Sequence, residues 1–211
     1  MPNKIKLLLA ISISLLPSNF LRVNAYKIIF GYKIISSKIG FRTIILVEDI
    51  ELINCRIGSF NKFIGPIKVK IKEEARIGNH NIFKCPEWTI NKENVSLQYK
   101  RTFVMGGGSM IKDFHYFDLA GEFILGEKSW IAGIGSQFWT HGIGVIDRDI
   151  KIGKDCYIGS AVRFSPGSGV GDNIILGIGS VLTKRIDCNN AMIAGVPAKI
   201  IKNDFDWKKE S

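Results

Sequence analysis

From Ile146 to Leu182 an apolar side chain returns at every sixth position: Ile146, Ile152, Ile158, Phe164, Val170, Leu176 and Leu182. Glycine follows four of them, at Gly153, Gly159, Gly171 and Gly177. Four residues after an apolar position stand Cys156, Val162, Ser168, Ile174 and Ser180. A period of six is neither the ~3.6 of an amphipathic helix nor the ~2 of a flat strand. It predicts short strands of about six residues including the turn, three to a coil, stacked as a parallel β-helix. The apolar residue would fill a narrow prism, the small residue would pack beside it, and glycine is expected to permit the tight turn.

The same step begins earlier, at Ile39-Gly40, Ile45 and Ile57-Gly58, and continues through Ile71, Ile77-Gly78 and Phe83. Ile64-Gly65-Pro66 is out of phase by one, which predicts a bulge or turn. Strict alternation from Ile67 to Lys72 predicts a strand with one basic face. From Cys85 to Gly121 the step fades. Pro86, the polar run Asn91 to Asn94, and Gly106-Gly107-Gly108 mark loops, and a loop is expected to project near Lys112 to Leu119. Regularity returns at Leu125-Gly126, with Ile131, Gln137 and Ile143; then Ile143 to Ile146 covers three positions instead of six. That break directly follows Trp139-Thr140-His141-Gly142. A solenoid leaves its register where something must project from it, so the break marks a candidate site.

The ends depart from the pattern. Lys4 and Lys6 precede the apolar run Leu7 to Leu16, which is too short to span a bilayer. Val23-Asn24-Ala25 loosely mimics a signal-peptidase site, but the bulky residues before it argue against cleavage. A helix is expected here, either packed on the open end of the coil as a cap or lying in a membrane interface. Tyr26 to Tyr32 reads as a basic-aromatic connector. At the other end Pro197 keeps Ala194 to Ala198 extended, and Lys199 to Trp207 reads as a basic tail or short helix. The expected organisation is an appendage at 1–36, a β-helix at 37–202 and a tail at 203–211, in an all-β protein.

Composition narrows the function. The 211 residues are 46% hydrophobic, enough to bury a core. The formal charge is +10, and no acid precedes Glu48. Without a nucleic-acid motif, that excess points to phosphorylated small molecules or anionic lipid. Cys55, Cys85, Cys156 and Cys188 form no Cys-x-x-Cys pair, and four reduced thiols in the cytoplasm are expected. His141 is the candidate base, since a neutral imidazole can take a proton from a hydroxyl near neutral pH. Gly142 and Gly144 leave room beside it. Trp139 could stack on a sugar ring, and His115, on the loop expected to project, is a second candidate for the acceptor side. The three histidines, His80, His115 and His141, are too far apart in sequence to supply a local metal pair, so no metal is expected. Lys184, Arg185, Lys199 and Lys202 form a late basic set that could meet donor phosphates.

Three segments carry a resemblance to a known family. They are Ile152-Gly153-Lys154-Asp155-Cys156-Tyr157-Ile158-Gly159-Ser160, Leu176 to Lys184, and Ala194-Gly195-Val196-Pro197-Ala198-Lys199-Ile200-Ile201-Lys202. They resemble the hexapeptide-repeat acyltransferases, which are left-handed parallel β-helices and usually homotrimers. Trp130 to Gly142 and the opening Leu15 to Phe20 are similar to the O-antigen and exopolysaccharide acetyltransferase branch. The resemblance implies His141 as catalytic base. It implies acetyl-CoA as donor, bound between neighbouring coils at Ser160, Ile178 (usually alanine in the family), Thr183, Lys184, Lys199 and Lys202. The expected reaction is direct acetyl transfer to a sugar or sugar-lipid hydroxyl in a groove between subunits. The alternatives are a non-catalytic β-helix scaffold, which retention of Thr140-His141 and Thr183-Lys184 speaks against, and a zinc-dependent lyase, which the histidine spacing speaks against. The expected location is the cytoplasm, at the inner face of the membrane if the N-terminal helix lies on lipid.

Overall fold

The structure, a computed structural model, describes residues 3–209. Short strands wind around a three-sided prism. The first face carries Lys38–Ile39, Arg56–Ile57, Arg76–Ile77, Met110–Ile111, Trp130–Ile131, Tyr157–Ile158, Ile174–Leu176 and Ala191–Gly195, each parallel to the next. The second face takes the first halves of Ile44–Ile53 and Lys62–Ile71, then Ile82–Lys84, Tyr116–Asp118, Gln137–Phe138, Arg163–Phe164 and Val181–Leu182. The third opens with Lys33–Ile35, takes the second halves of the two long strands, and continues through Thr102–Met105, Glu122–Leu125, Ile150–Ile152, Gly169–Val170 and Arg185–Ile186.

Each face owns an inward column. Ile39, Ile57, Ile77, Ile111, Ile131, Ile158, Leu176 and Ile193 line the first, and Ile45, Phe63, Phe83, Phe117, Phe138, Phe164 and Leu182 the second, all buried. The rings stack coil upon coil, with centroids 4.2 Å apart for Phe63–Phe83, 4.6 Å for Phe83–Phe117 and 4.7 Å for Phe117–Phe138. Burying one such side chain contributes about 1.5–3 kcal/mol. Glycine works here through space, not torsion. Neither Gly153 nor Gly171 has a positive φ. A Cβ on Gly153 would stand 2.4 Å from the Gly171 carbonyl oxygen, and one on Gly171 would stand 2.2 Å from that of Cys188. The left-handed turn positions nearby fall on Asp155, Ala161 and Asn173.

The register differs from the hexad reading around the break. Ile143 and Ile146 both stand in solvent, and Phe138, not Gln137, points inward. Gly133 and Gly135, both at positive φ, lengthen that turn by one residue. Ile64-Gly65-Pro66 does carry the expected irregularity, since the pairing with Ile44–Ile53 shifts between Val47 and Asp49. Lys112 to Leu119 is wall rather than a projecting loop. The segment that leaves the prism lies between Lys84 and Thr102, as two 3-10 turns at Glu87–Ile90 and Lys92–Leu97.

Two helices, not one, close the N-terminal end: α1 (Asn3–Ser14) and α2 (Asn19–Phe30). Pro17-Ser18 separates them. The Ser18 hydroxyl accepts from the Leu21 N–H, and Gly31 at φ 73° ends α2, so Tyr26 is helical and not part of a connector. A β-helix end exposes unpaired strand backbone. Here side chains of the cap satisfy it. The Ile39 N–H donates to Asn19 Oδ1 (2.7 Å), and Arg22 Nε donates to the Ile39 carbonyl (3.0 Å). Tyr26 Oη bridges Thr43 and Ile45, and Tyr32 Oη bridges the N–H and carbonyl of Val47. Both helices therefore pack on the open end of the coil through their inner faces. At the far end Ala198–Lys202 folds back antiparallel on Ala191–Gly195, a strand where a tail or helix was expected.

Candidate active site

His141 sits at the corner between the second and third faces, in the loop joining Gln137–Phe138 to Ile150–Ile152. The inward Phe138 anchors one end of the loop, and the buried Thr140 fastens it to the coil below. The Thr140 hydroxyl accepts from the Gly121 N–H (2.8 Å) and lies 2.8 Å from the Asp118 carbonyl, to which it donates. The Thr140 N–H points at Asp118 Oδ1 (3.3 Å). That oxygen lies 2.8 Å from His141 Nδ1. The Asp118 side chain is 3% exposed and that of His141 37%. A carboxylate only accepts, so Nδ1 carries the proton and Nε2 keeps a free lone pair. The same carboxylate would stabilise the imidazolium formed when Nε2 takes a proton.

The projecting segment arches over this pair. Trp88 meets the His141 ring edge-on, with centroids 5.7 Å apart, and packs against Tyr99 at 5.1 Å. Arg148, from the His141 loop, lies 4.5 Å over the Tyr99 ring and donates to the Leu97 carbonyl (3.0 Å). The two loops are thus braced together. On the other side Trp139, partly exposed, packs on Tyr116 at 5.0 Å.

His115 is placed elsewhere. It is 1% exposed and forms a rung of a buried polar ladder at the corner between the first and second faces. Asn61 and Asn81 each accept, through Oδ1, the main-chain N–H of the next rung, at Asn81 and His115 respectively. His115 Nδ1 does the same for Ser136 (3.0 Å). Burial pushes its pKa down to about 4, against a smaller raising effect from Asp113. No atom of it is placed to touch an acceptor, because the ring supports the wall from within.

The expected donor residues divide between two places. Ser160 and Ile178 lie on turns between the first and second faces, in adjacent coils linked by the Gly179 N–H to the Ser160 carbonyl (2.9 Å). Ile178 is largely exposed. Thr183 and Lys184 lie on the His141 side, at the corner after Val181–Leu182, while Lys199 and Lys202 stand on the returning strand Ala198–Lys202 of the first face. Within one chain, Ser160 and Ile178 are therefore separated from His141 by the width of the second face.

No family model matches the chain. Over 59 residues it is 46% identical to the galactoside O-acetyltransferase of Escherichia coli (strain K12), which is 27% of this chain and 29% of that protein. The chain spans less than a third of the length of this relative and of two chloramphenicol acetyltransferases that it also matches. Among solved structures, the polysialic-acid-specific acetyltransferase NeuO superposes with a TM-score of 0.51 at 21% identity, covering 83% of this chain and 81% of that one. The fold is that of the left-handed hexapeptide-repeat acyltransferases. A UDP-N-acetylglucosamine O-acyltransferase, LpxA from Moraxella catarrhalis, shares the same left-handed solenoid with a TM-score of 0.52 at 17% identity, over 85% of this chain and 68% of that one.

Reading the sequence alone did not find Asp118 or Trp88. Asp113, Asp118 and Glu122 all precede His141 by about one coil. The pairing of Tyr116–Phe117 with Gln137–Phe138 sets Asp118 at the corner of the His141 loop, whereas Asp113 lies at the preceding corner and Glu122 on the third face. Trp88 comes from a segment without repeat, so no period could place it.

Proposed function

We propose that this protein is an O-acetyltransferase that moves an acetyl group from acetyl-CoA to a hydroxyl of a sugar, free or lipid-linked, in surface polysaccharide biosynthesis. The observation that carries this reading is the buried Asp118 bonded to Nδ1 of a part-exposed His141, which leaves Nε2 as a base facing outward. The names of similar proteins support the chemistry: a galactoside, polysialic acid and a UDP-sugar each appear beside acyl transfer. Trp88 beside the base, and the partly exposed Trp139 that precedes it by two residues, suit the apolar faces of a sugar ring.

In this mechanism Nε2 of neutral His141 accepts the proton of the acceptor hydroxyl as its oxygen attacks the thioester carbonyl. Asp118 holds the imidazolium by its Nδ1–H. The tetrahedral intermediate collapses with loss of the CoA thiolate, which takes the proton back from Nε2. The products are the acetyl ester and free CoA, with no covalent acyl-enzyme. Because Ser160 and Ile178 lie across a face from His141, the reading places the donor between neighbouring subunits of a homotrimer, one supplying the base and the next the turn residues. Four unpaired cysteines and the use of acetyl-CoA support a cytoplasmic location.

The test is release of free CoA from acetyl-CoA in the presence of nucleotide sugars and lipid-linked sugars. His141→Ala is expected to lose at least about a thousandfold in kcat, and Asp118→Asn about a hundredfold or more, with KM for acetyl-CoA little changed. Equal rates for wild type and His141→Ala would remove the assigned base.

A further inference from the structure

Both helices keep apolar residues on the coil, Ala10 and Ile13 from α1 and Val23, Ala25 and Phe30 from α2 beside the buried Arg22 and Tyr26. Yet α2 also shows an outward face of Phe20, Leu21, Lys27, Ile28 and Ile29. Phe20 is 74% exposed and Ile28 82%. In α1 the outward residues include Lys4, Ile5, Leu7 and Leu8, with Leu8 64% exposed. A surface helix of a water-soluble domain normally turns a polar face to solvent and does not expose so many large apolar side chains. The charge is equally one-sided. No acidic residue occurs before Glu48, and among the described residues Lys4, Lys6 and Lys27 pair with no carboxylate. Glu48 and Glu87 do share a groove with Lys4 and Lys6 beside α1, without an ion pair between them.

We propose that α1 and α2 dock the protein on an anionic lipid surface, with Phe20, Leu21, Ile28, Ile5 and Leu8 entering the interface and Lys4, Lys6 and Lys27 meeting the headgroups. Apolar residues flanked by lysine are what a helix lying in the headgroup layer requires. The helices lie on the bilayer rather than cross it. Each has 12 residues, about 18 Å of helix against a hydrocarbon core of about 30 Å, and no described helix is long and apolar enough to span. A second copy of the chain is a poorer occupant, because a symmetric contact would set the same lysines against one another, and neither helix carries an acid to offset them. The inference stands independently of the reaction proposed above.

The experiment is sedimentation of the full-length protein with vesicles of phosphatidylcholine containing one third phosphatidylglycerol, against vesicles of phosphatidylcholine alone. Wild type is expected to sediment with the anionic vesicles and to be released by added salt. The double variant Phe20→Ser/Ile28→Ser is expected to bind at least about tenfold more weakly. Its Tm should be unchanged, since neither side chain packs on the coil. Wild type left in the supernatant would overturn the proposal. So would a double variant that binds vesicles normally but changes its oligomeric size, which would make the cap a contact between copies.

Discussion

His115 and His141 stand on adjacent coils and illustrate how one residue type takes opposite roles. His141 has a carboxylate on Nδ1 and open space on Nε2. His115 has a main-chain donor on Nδ1, and its Nε2 is buried without a hydrogen-bond partner. The pKa of about 4 for His115 lies below its ordinary value of 6.5. Between those limits the unfolded chain binds a proton that the native state does not, so this group makes stability rise with pH. Its contribution is complete above pH ~6.5 and is lost as pH falls toward ~4, a total of about 3 kcal/mol. Asn61 and Asn81 already fill equivalent rungs, so His115→Asn should fold. Urea unfolding at pH 7 and pH 4 should show wild type losing about 3 kcal/mol more than the variant. Equal losses would mean that His115 is protonated in the native state.

Among elements, the segment between Lys84 and Thr102 decides most about the site and was least legible in sequence. Its turns are held by local bonds, from Thr89 Oγ1 to the Pro86 carbonyl (2.7 Å) and from Asn94 Nδ2 to the Trp88 carbonyl (2.8 Å). The clasp of Arg148 on Tyr99 and Leu97 fixes it to the His141 loop. If His141 is the base of the proposed reaction, Trp88 beside it walls the acceptor side and should affect acceptor binding and not the donor. Trp88→Ala is expected to raise KM for the acceptor about tenfold, or ~1.4 kcal/mol, with KM for acetyl-CoA unchanged. Initial rates with each substrate varied in turn separate the two. The hexad strands, by contrast, were readable because each inward position repeats the same packing. Where a loop leaves the prism, nothing repeats.

At the scale of the molecule, the cap and the site lie at different heights along one axis. The coil of His141 is four steps beyond the first complete coil, counting Ile39, Ile57, Ile77, Ile111 and Ile131 on the first face. Adjacent strands are ~4.8 Å apart, which places the base about 19 Å above that coil. Helices laid across the end add about 10 Å. With the cap on lipid, a lipid-linked acceptor would need several sugar units to reach Nε2. On vesicles, acetylation should therefore be weak for a lipid-linked monosaccharide and strong for a longer glycan, and the difference should vanish in detergent. CoA release measured across acceptors of graded length checks this, and equal rates on vesicles would exclude that orientation.

The sequence by itself determined the solenoid, the inward columns away from the register break, and the candidate base. Each follows from local repetition, in which the same six-residue step meets the same neighbours one coil away. The tertiary structure decided what repetition cannot encode. It selected Asp118 among three nearby acids, because Asp118 alone stands at the corner from which the His141 loop departs. It brought Trp88 over His141 from a segment without period, and it buried His115 as a rung. It also set Arg22 and Tyr26 of α2 on the open edge of the first coil, whose backbone needs hydrogen-bond partners as well as apolar cover.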